Sequence, residues 1–65
     1  MTDIDTLLRR REVERITGLS TTSLYRQIRE GRFPRPRRIG RRAVAWALSE
    51  IRAWQTECPR TDAPA

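Results

Sequence analysis

Residues 11–31, Arg-Glu-Val-Glu-Arg-Ile-Thr-Gly-Leu-Ser-Thr-Thr-Ser-Leu-Tyr-Arg-Gln-Ile-Arg-Glu-Gly, decide the fold. Val13 and Ile16 stand three apart, and Leu19 follows three further on, which gives one apolar helical face. Gly18 interrupts that face where a helix ends, because glycine takes the left-handed conformation without steric cost. The spacing therefore predicts a first helix over 11–17, with Leu8 leading into it. Ser20 is a preferred N-cap residue, so a second helix starts there and stops at Gly31. Only Gly18, Leu19 and Ser20 separate the two, a connection as short as a helix-turn-helix requires. Taken alone, the same spacing admits a plain helical hairpin.

Beyond Gly31 the composition changes. Pro34 and Pro36 rule out a helix at the start of the stretch 32–46. Ile39, Val44 and Trp46 then alternate with small or charged residues around a Gly40-Arg41 turn, the pattern of a short hairpin with arginines facing outward. A last helix is expected over 47–58, with Ala47, Ile51, Trp54 and Cys58 on one face and Leu48 beside it. Ser49 and Glu50 favour its first turn, and Pro59 ends it. The expected core is Leu8, Val13, Ile16, Leu19, Leu24, Ile28, Phe33, Ile39, Val44, Trp46, Ile51 and Trp54. Cys58 is expected to pack as a small hydrophobe on the last turn. The elements sum to a mainly α chain with a small β-hairpin. Residues 1–6 read as a flexible lead, 7–58 as the domain and 59–65 as a disordered tail.

The 65 residues leave room for one small core. A single cysteine and no histidine exclude an intramolecular disulfide and argue against structural zinc. No cofactor is implied, and the thiol usage fits a reducing, cytoplasmic compartment. The acidic start Met1-Thr2-Asp3-Ile4-Asp5 is unlike a secretory signal, and no apolar run approaches the roughly 18 residues of a membrane span. A soluble, unexported chain is expected. Catalysis finds no support, since histidine and a Gly-rich phosphate loop are missing and the carboxylates are interleaved with arginines.

A net charge of +6 points to a polyanionic partner, with nucleic acid, an anionic membrane and an acidic protein all admitted. All fourteen basic residues are arginine, whose planar fork suits bidentate contacts to phosphate and guanine; a GC-rich genome produces the same bias. On a wheel of about 100 degrees per residue, with the core between Leu24 and Ile28, Thr22, Arg26 and Arg29 point outward. Ser23 and Tyr25 lie on the flanks, and Thr21 falls nearer the core. Hydroxyls at the start of the exposed face and guanidiniums in its middle suit the major groove of DNA. Thr22, Arg26 and Arg29 are thus the candidate base readers, Arg26 foremost, against the plainer reading of arginines that solvate a surface helix or pair with Glu30. Ser20, Thr21, Ser23 and Tyr25 are candidates for the DNA backbone. Ser20 is first a cap whose neighbouring amides suit phosphate, and Tyr25 is first a packing residue whose hydroxyl reaches outward. Arg35, Arg37, Arg38, Arg41 and Arg42 place five of the fourteen within eight positions, a density that counterion release rewards on DNA. Of these, Arg37, Arg38, Arg41 and Arg42 are assigned to backbone contact. Trp46 and Trp54 are candidate stacking platforms for single-stranded bases, but their spacing faces the core.

The segments Leu8-Arg9, Glu12-Val13, Thr17-Gly18-Leu19-Ser20, Leu24-Tyr25-Arg26, Glu30-Gly31-Arg32-Phe33-Pro34, Ile39-Gly40, Arg42-Ala43-Val44-Ala45-Trp46 and Ser49-Glu50-Ile51 with Trp54 resemble the AlpA-type phage regulators. That family is related to the excisionases and to the DNA-binding part of the MerR regulators. The resemblance spans about residues 7–58. It implies a winged helix-turn-helix with the second helix in the major groove and the wing on the adjacent backbone. By position, Ser20, Thr22, Tyr25 and Arg26 match the recognition-helix segment, and Arg42 matches the arginine of the wing's second strand. The segment Arg35 to Arg38 is more basic than the family's usual mix. The implied role is transcription control of prophage or mobile-element genes; the alternative is a recombination directionality factor that bends DNA for an integrase. Double-stranded DNA is the expected partner, with integrase or RNA polymerase as protein partners and no membrane. The free chain is expected to be a monomer that binds adjacent DNA sites cooperatively. A module for RNA or for another protein is the reading from a different class.

Overall fold

In the computed structural model, which describes residues 4–60, the first two helices are α1 (Arg10–Thr17) and α2 (Thr21–Arg29). Gly18 closes α1 at φ 78°, and its amide donates to the Glu14 carbonyl at 2.8 Å. Only glycine takes that conformation readily, so the chain turns at once into the N-cap Ser20. The Ser20 side chain accepts from the Ser23 amide at 3.2 Å and so satisfies one of the free donors at the start of α2. After α2, Gly31 stands at φ 76° and the Arg32 amide reaches back to the Gln27 carbonyl at 2.8 Å.

Three short strands follow from the remaining polar backbone. These are β1 (Leu7–Leu8), β2 (Arg37–Arg38) and β3 (Val44–Ala47), arranged in the order β1-β3-β2. Both pairings are antiparallel, with Leu7 opposite Ala47, Leu8 opposite Trp46, Arg37 opposite Ala45 and Arg38 opposite Val44. The turn between β2 and β3 is closed by the Ile39 and Gly40 amides, which donate to the Ala43 carbonyl at 2.9 and 3.3 Å. Helix α3 (Leu48–Glu57) leaves β3 without a break. The molecule is a mainly α winged helix-turn-helix whose wing is the β2–β3 hairpin.

The core consists of Val13, Leu24, Phe33, Trp46 and Ile51, with Leu8, Leu19, Ile28, Val44 and Trp54 partly buried against it. The indole N–H of Trp46 donates to the Pro34 carbonyl at 2.9 Å, which lets a fully buried polar ring enter the core. Phe33 meets Trp54 edge to face at 4.9 Å between centroids.

Several expectations are corrected here. Leu8 does not merely lead into α1: with Leu7 it forms β1, which makes β3 a central strand. Ala45 and Ala47 on β3 are buried, since a central strand is flanked on both edges and small side chains are easily covered. Ala47 belongs to β3, not to the last helix. Ile16 and Ile39, both expected in the core, are 49% and 43% exposed. On α1 the inward line runs from Val13 to Thr17, whose hydroxyl donates to the Val13 carbonyl at 2.7 Å, and this leaves Ile16 at the rim. Ile39 sits at the wing turn beyond the last strand pair, where it is only partly covered. Cys58 is exposed because α3 ends at Glu57 and the chain turns extended.

Of the expected lead over 1–6 and tail over 59–65, residues 1–3 and 61–65 lie outside the described residues. Asp5 and Thr6 are bonded to the start of α3. The Leu48 amide donates to the Thr6 carbonyl at 2.8 Å, and the Ser49 amide and hydroxyl both donate to the Asp5 carboxylate. Ala47 has no side chain able to cap α3, and Asp5 supplies that acceptor from the far end of the domain. Its carboxyl is held below the ordinary aspartate range chiefly by the Ser49 hydroxyl. Among the described residues no helix is long and apolar enough to cross a membrane.

Candidate nucleic-acid interface

The outward side of α2 is set by the burial of Leu24 and the partial burial of Ile28, which leave Thr22, Tyr25, Arg26 and Arg29 exposed. Among the described residues Arg26 and Arg29 make no ion pair; Glu30 lies instead 3.9 Å from Arg32. Their guanidiniums keep every donor available to an outside acceptor.

The hydroxyls at the start of α2 divide by role. Ser20 and Ser23 are joined at 3.0 Å within the cap. Thr21 donates to Glu14 Oε2 at 2.7 Å and accepts from Arg10 at 3.0 Å, while Arg10 and Glu14 pair at 2.8 Å. This triangle links α1 to α2 and commits the Thr21 hydroxyl to intramolecular bonds, although Thr21 is exposed and does not lie toward the core as expected. The Glu14 carboxyl is held below its ordinary range by the Thr21 hydroxyl first and Arg10 second. Thr22 alone among the four makes no side-chain hydrogen bond to the described residues.

On the wing, Arg38, Arg41 and Arg42 are exposed and without a carboxylate partner among the described residues, as is Arg35 before it. Arg37 differs: its Nε stands 3.1 Å from Glu50 on α3, so it braces the hairpin against the last helix. Sequence reasoning could not see that pair, because the partners are 13 residues apart. Trp46 is fully buried, which removes it as an open stacking platform, while Trp54 is partly buried with its ring edge to face on Phe33.

The structure also brings together residues that the sequence reading does not select. Arg9, Arg10 and Arg11 at the start of α1 share a cleft of about 330 Å³ with Tyr25 of α2 and with Arg42 and Val44 of the wing. The triplet is visible in the sequence as a charge run. Its place beside Tyr25 and Arg42 depends on the tertiary fold.

Residues 6–59 match the family model of the prophage CP4-57 regulatory protein (AlpA). The chain is also similar to an uncharacterized protein, ORF88, of Enterobacteria phage P4, with 45% identity over 47 residues, which is 72% of this chain and 53% of that protein. The chain thus spans about half the length of that phage relative. No solved structure matches.

Proposed function

Because the chain belongs to the AlpA family of prophage regulatory proteins, we propose that it is a sequence-specific binder of double-stranded DNA that controls prophage or mobile-element genes. The role is regulatory, on cytoplasmic DNA, with no catalytic step. In this reading α2 enters the major groove, where Thr22, Arg26 and Arg29 meet base edges. Arg38, Arg41 and Arg42 follow the neighbouring phosphates, and Ser20, Ser23 and Tyr25 support the backbone register. Thr21 and Arg37 serve by holding α1 and the wing in place.

The observation that carries the reading is the lack of intramolecular partners for Arg26 and Arg29 on the exposed side of α2, next to a wing whose Arg38, Arg41 and Arg42 are equally free among the described residues. A basic surface that only kept the chain in solution would need no such grouping on two adjoining elements. Tyr25 of α2 and Arg42 of the wing line one cleft, which supports a shared footprint.

Selection of bound duplexes from a random pool tests this directly. A recurrent motif containing guanine is expected, with structured RNA of equal length unable to displace the selected duplex. A pool that stays random through successive rounds, or an RNA competitor that wins, would contradict the proposal.

A further inference from the structure

The cleft between the start of α1, Tyr25 and the wing gathers four guanidiniums, those of Arg9, Arg10, Arg11 and Arg42, from two elements far apart in sequence. One carboxylate, Glu14, offsets Arg10, and the other acid of α1, Glu12, pairs with Arg15. Arg9, Arg11 and Arg42 make no ion pair among the described residues, although Arg11 stands close enough to Glu14 to help lower its carboxyl. Like charges grouped in this way make a local positive field that attracts a polyanion. Arg10 is also oriented, since Glu14 and Thr21 fix its guanidinium from one side.

We propose that this cleft seats a phosphodiester group of the DNA backbone, received by Arg9, Arg11 and Arg42 with the Tyr25 hydroxyl as a further donor. Charge-assisted bonds from guanidinium to phosphate are short and strong, and phosphate is the polyanion's repeating unit. The contact carries the footprint from α2 and the wing onto α1, three elements on one stretch of backbone. It rests on the DNA-binding reading and adds to it Arg9 and Arg11 at the start of α1, which join Tyr25 of α2 and Arg42 of the wing in one site.

The test measures duplex affinity against salt for the wild-type chain, for the double variant Arg9→Gln/Arg11→Gln, and for Arg52→Gln on the exposed side of α3 as a control. All three positions are exposed, and circular dichroism verifies that each variant is folded. The slope of log affinity on log salt should flatten by about 0.9 in the double variant, the value for one phosphate no longer neutralised, with Arg52→Gln unchanged. The ratio of specific to random binding should stay as in the wild type. Neutralising backbone phosphates singly with methylphosphonates should then reveal one position that weakens the wild type but not the double variant.

A double variant with the wild-type slope would overturn the cleft assignment while leaving the DNA-binding reading intact. A wild-type chain without salt-dependent duplex binding would overturn both. Thermal melts in inorganic phosphate and in chloride, at matched ionic strength, separate the two sources of the anion. Equal melting temperatures are expected for a site made by duplex docking. A rise in phosphate that Arg9→Gln/Arg11→Gln abolishes would replace the phosphodiester with a free-anion site.

Discussion

Trp46 is the side chain on which the small core turns: it is fully buried, central in the sheet, and bonded through its indole N–H to the Pro34 carbonyl. Trp46→Phe keeps most of the ring volume but strands that carbonyl, at a cost of about 1–2 kcal/mol. In a domain of this size each kcal/mol lowers the melting temperature by roughly 4–8 °C. A thermal melt of Trp46→Phe should show that drop, and an unchanged melt would mean that solvent already satisfies Pro34. Cys58 behaves in the opposite way. Exposed beyond the end of α3, it should accept serine with a stability change within about 0.5 kcal/mol, and with duplex affinity unaltered. At this scale the sequence disclosed the large inward residues, because Val13, Leu24, Phe33, Trp46 and Ile51 stand at helical or strand spacing whatever the partner. It did not disclose Ile16, Ile39 or Cys58. Periodicity marks one face of an element, but how much of that face a neighbour covers depends on where the neighbouring elements stop.

The triangle of Arg10, Glu14 and Thr21 adds a polar link between α1 and α2 to the buried contact of Val13 and Leu24 with the core. Because Thr21 and Arg10 lower the Glu14 carboxyl in the folded state, the stability it contributes is complete above the ordinary glutamate range. It is lost as pH falls through the depressed folded value. Asp5, lowered chiefly by Ser49 at the head of α3, acts in the same direction. Melting temperature followed from neutral pH downward should therefore decline in the acid range, and Glu14→Gln should begin lower and decline less steeply. Equal slopes for the two proteins would show that the triangle does not contribute. The helix-turn-helix was legible from Gly18 and Ser20, whose backbone and capping roles are local. Strand β1 was not, since two leucines beside a helix carry no strand periodicity and pair only because β3 presents a free edge. The Arg37–Glu50 brace escaped for the same reason: a basic residue in a basic run gives no sign of the one acid that reaches it.

The whole molecule measures about 41 × 30 × 20 Å and carries +6, a field that draws a polyanion in and keeps copies of the chain apart. With its main apolar residues taken up by one core, the free chain should sediment as a monomer at micromolar concentration. A stable dimer without DNA would contradict that. Charge alone pointed to a polyanion without choosing among nucleic acid, membrane and acidic protein, and the division of the arginines was not legible in it. Which guanidinium is braced, which is clustered and which is free is settled only when α1, α2 and the wing meet. The central claim is that α2 reads bases while the wing anchors the backbone, and it is tested most directly by comparing Arg26→Ala with Arg41→Ala/Arg42→Ala on the selected duplex and on random DNA. Arg26→Ala should cost about 1–3 kcal/mol on the selected site and far less on random sequence, so that specificity falls. The wing variant should weaken both alike and flatten the salt dependence by about 0.9 for each phosphate it ceases to neutralise. A wing variant that lost sequence preference while Arg26→Ala retained it would contradict the account.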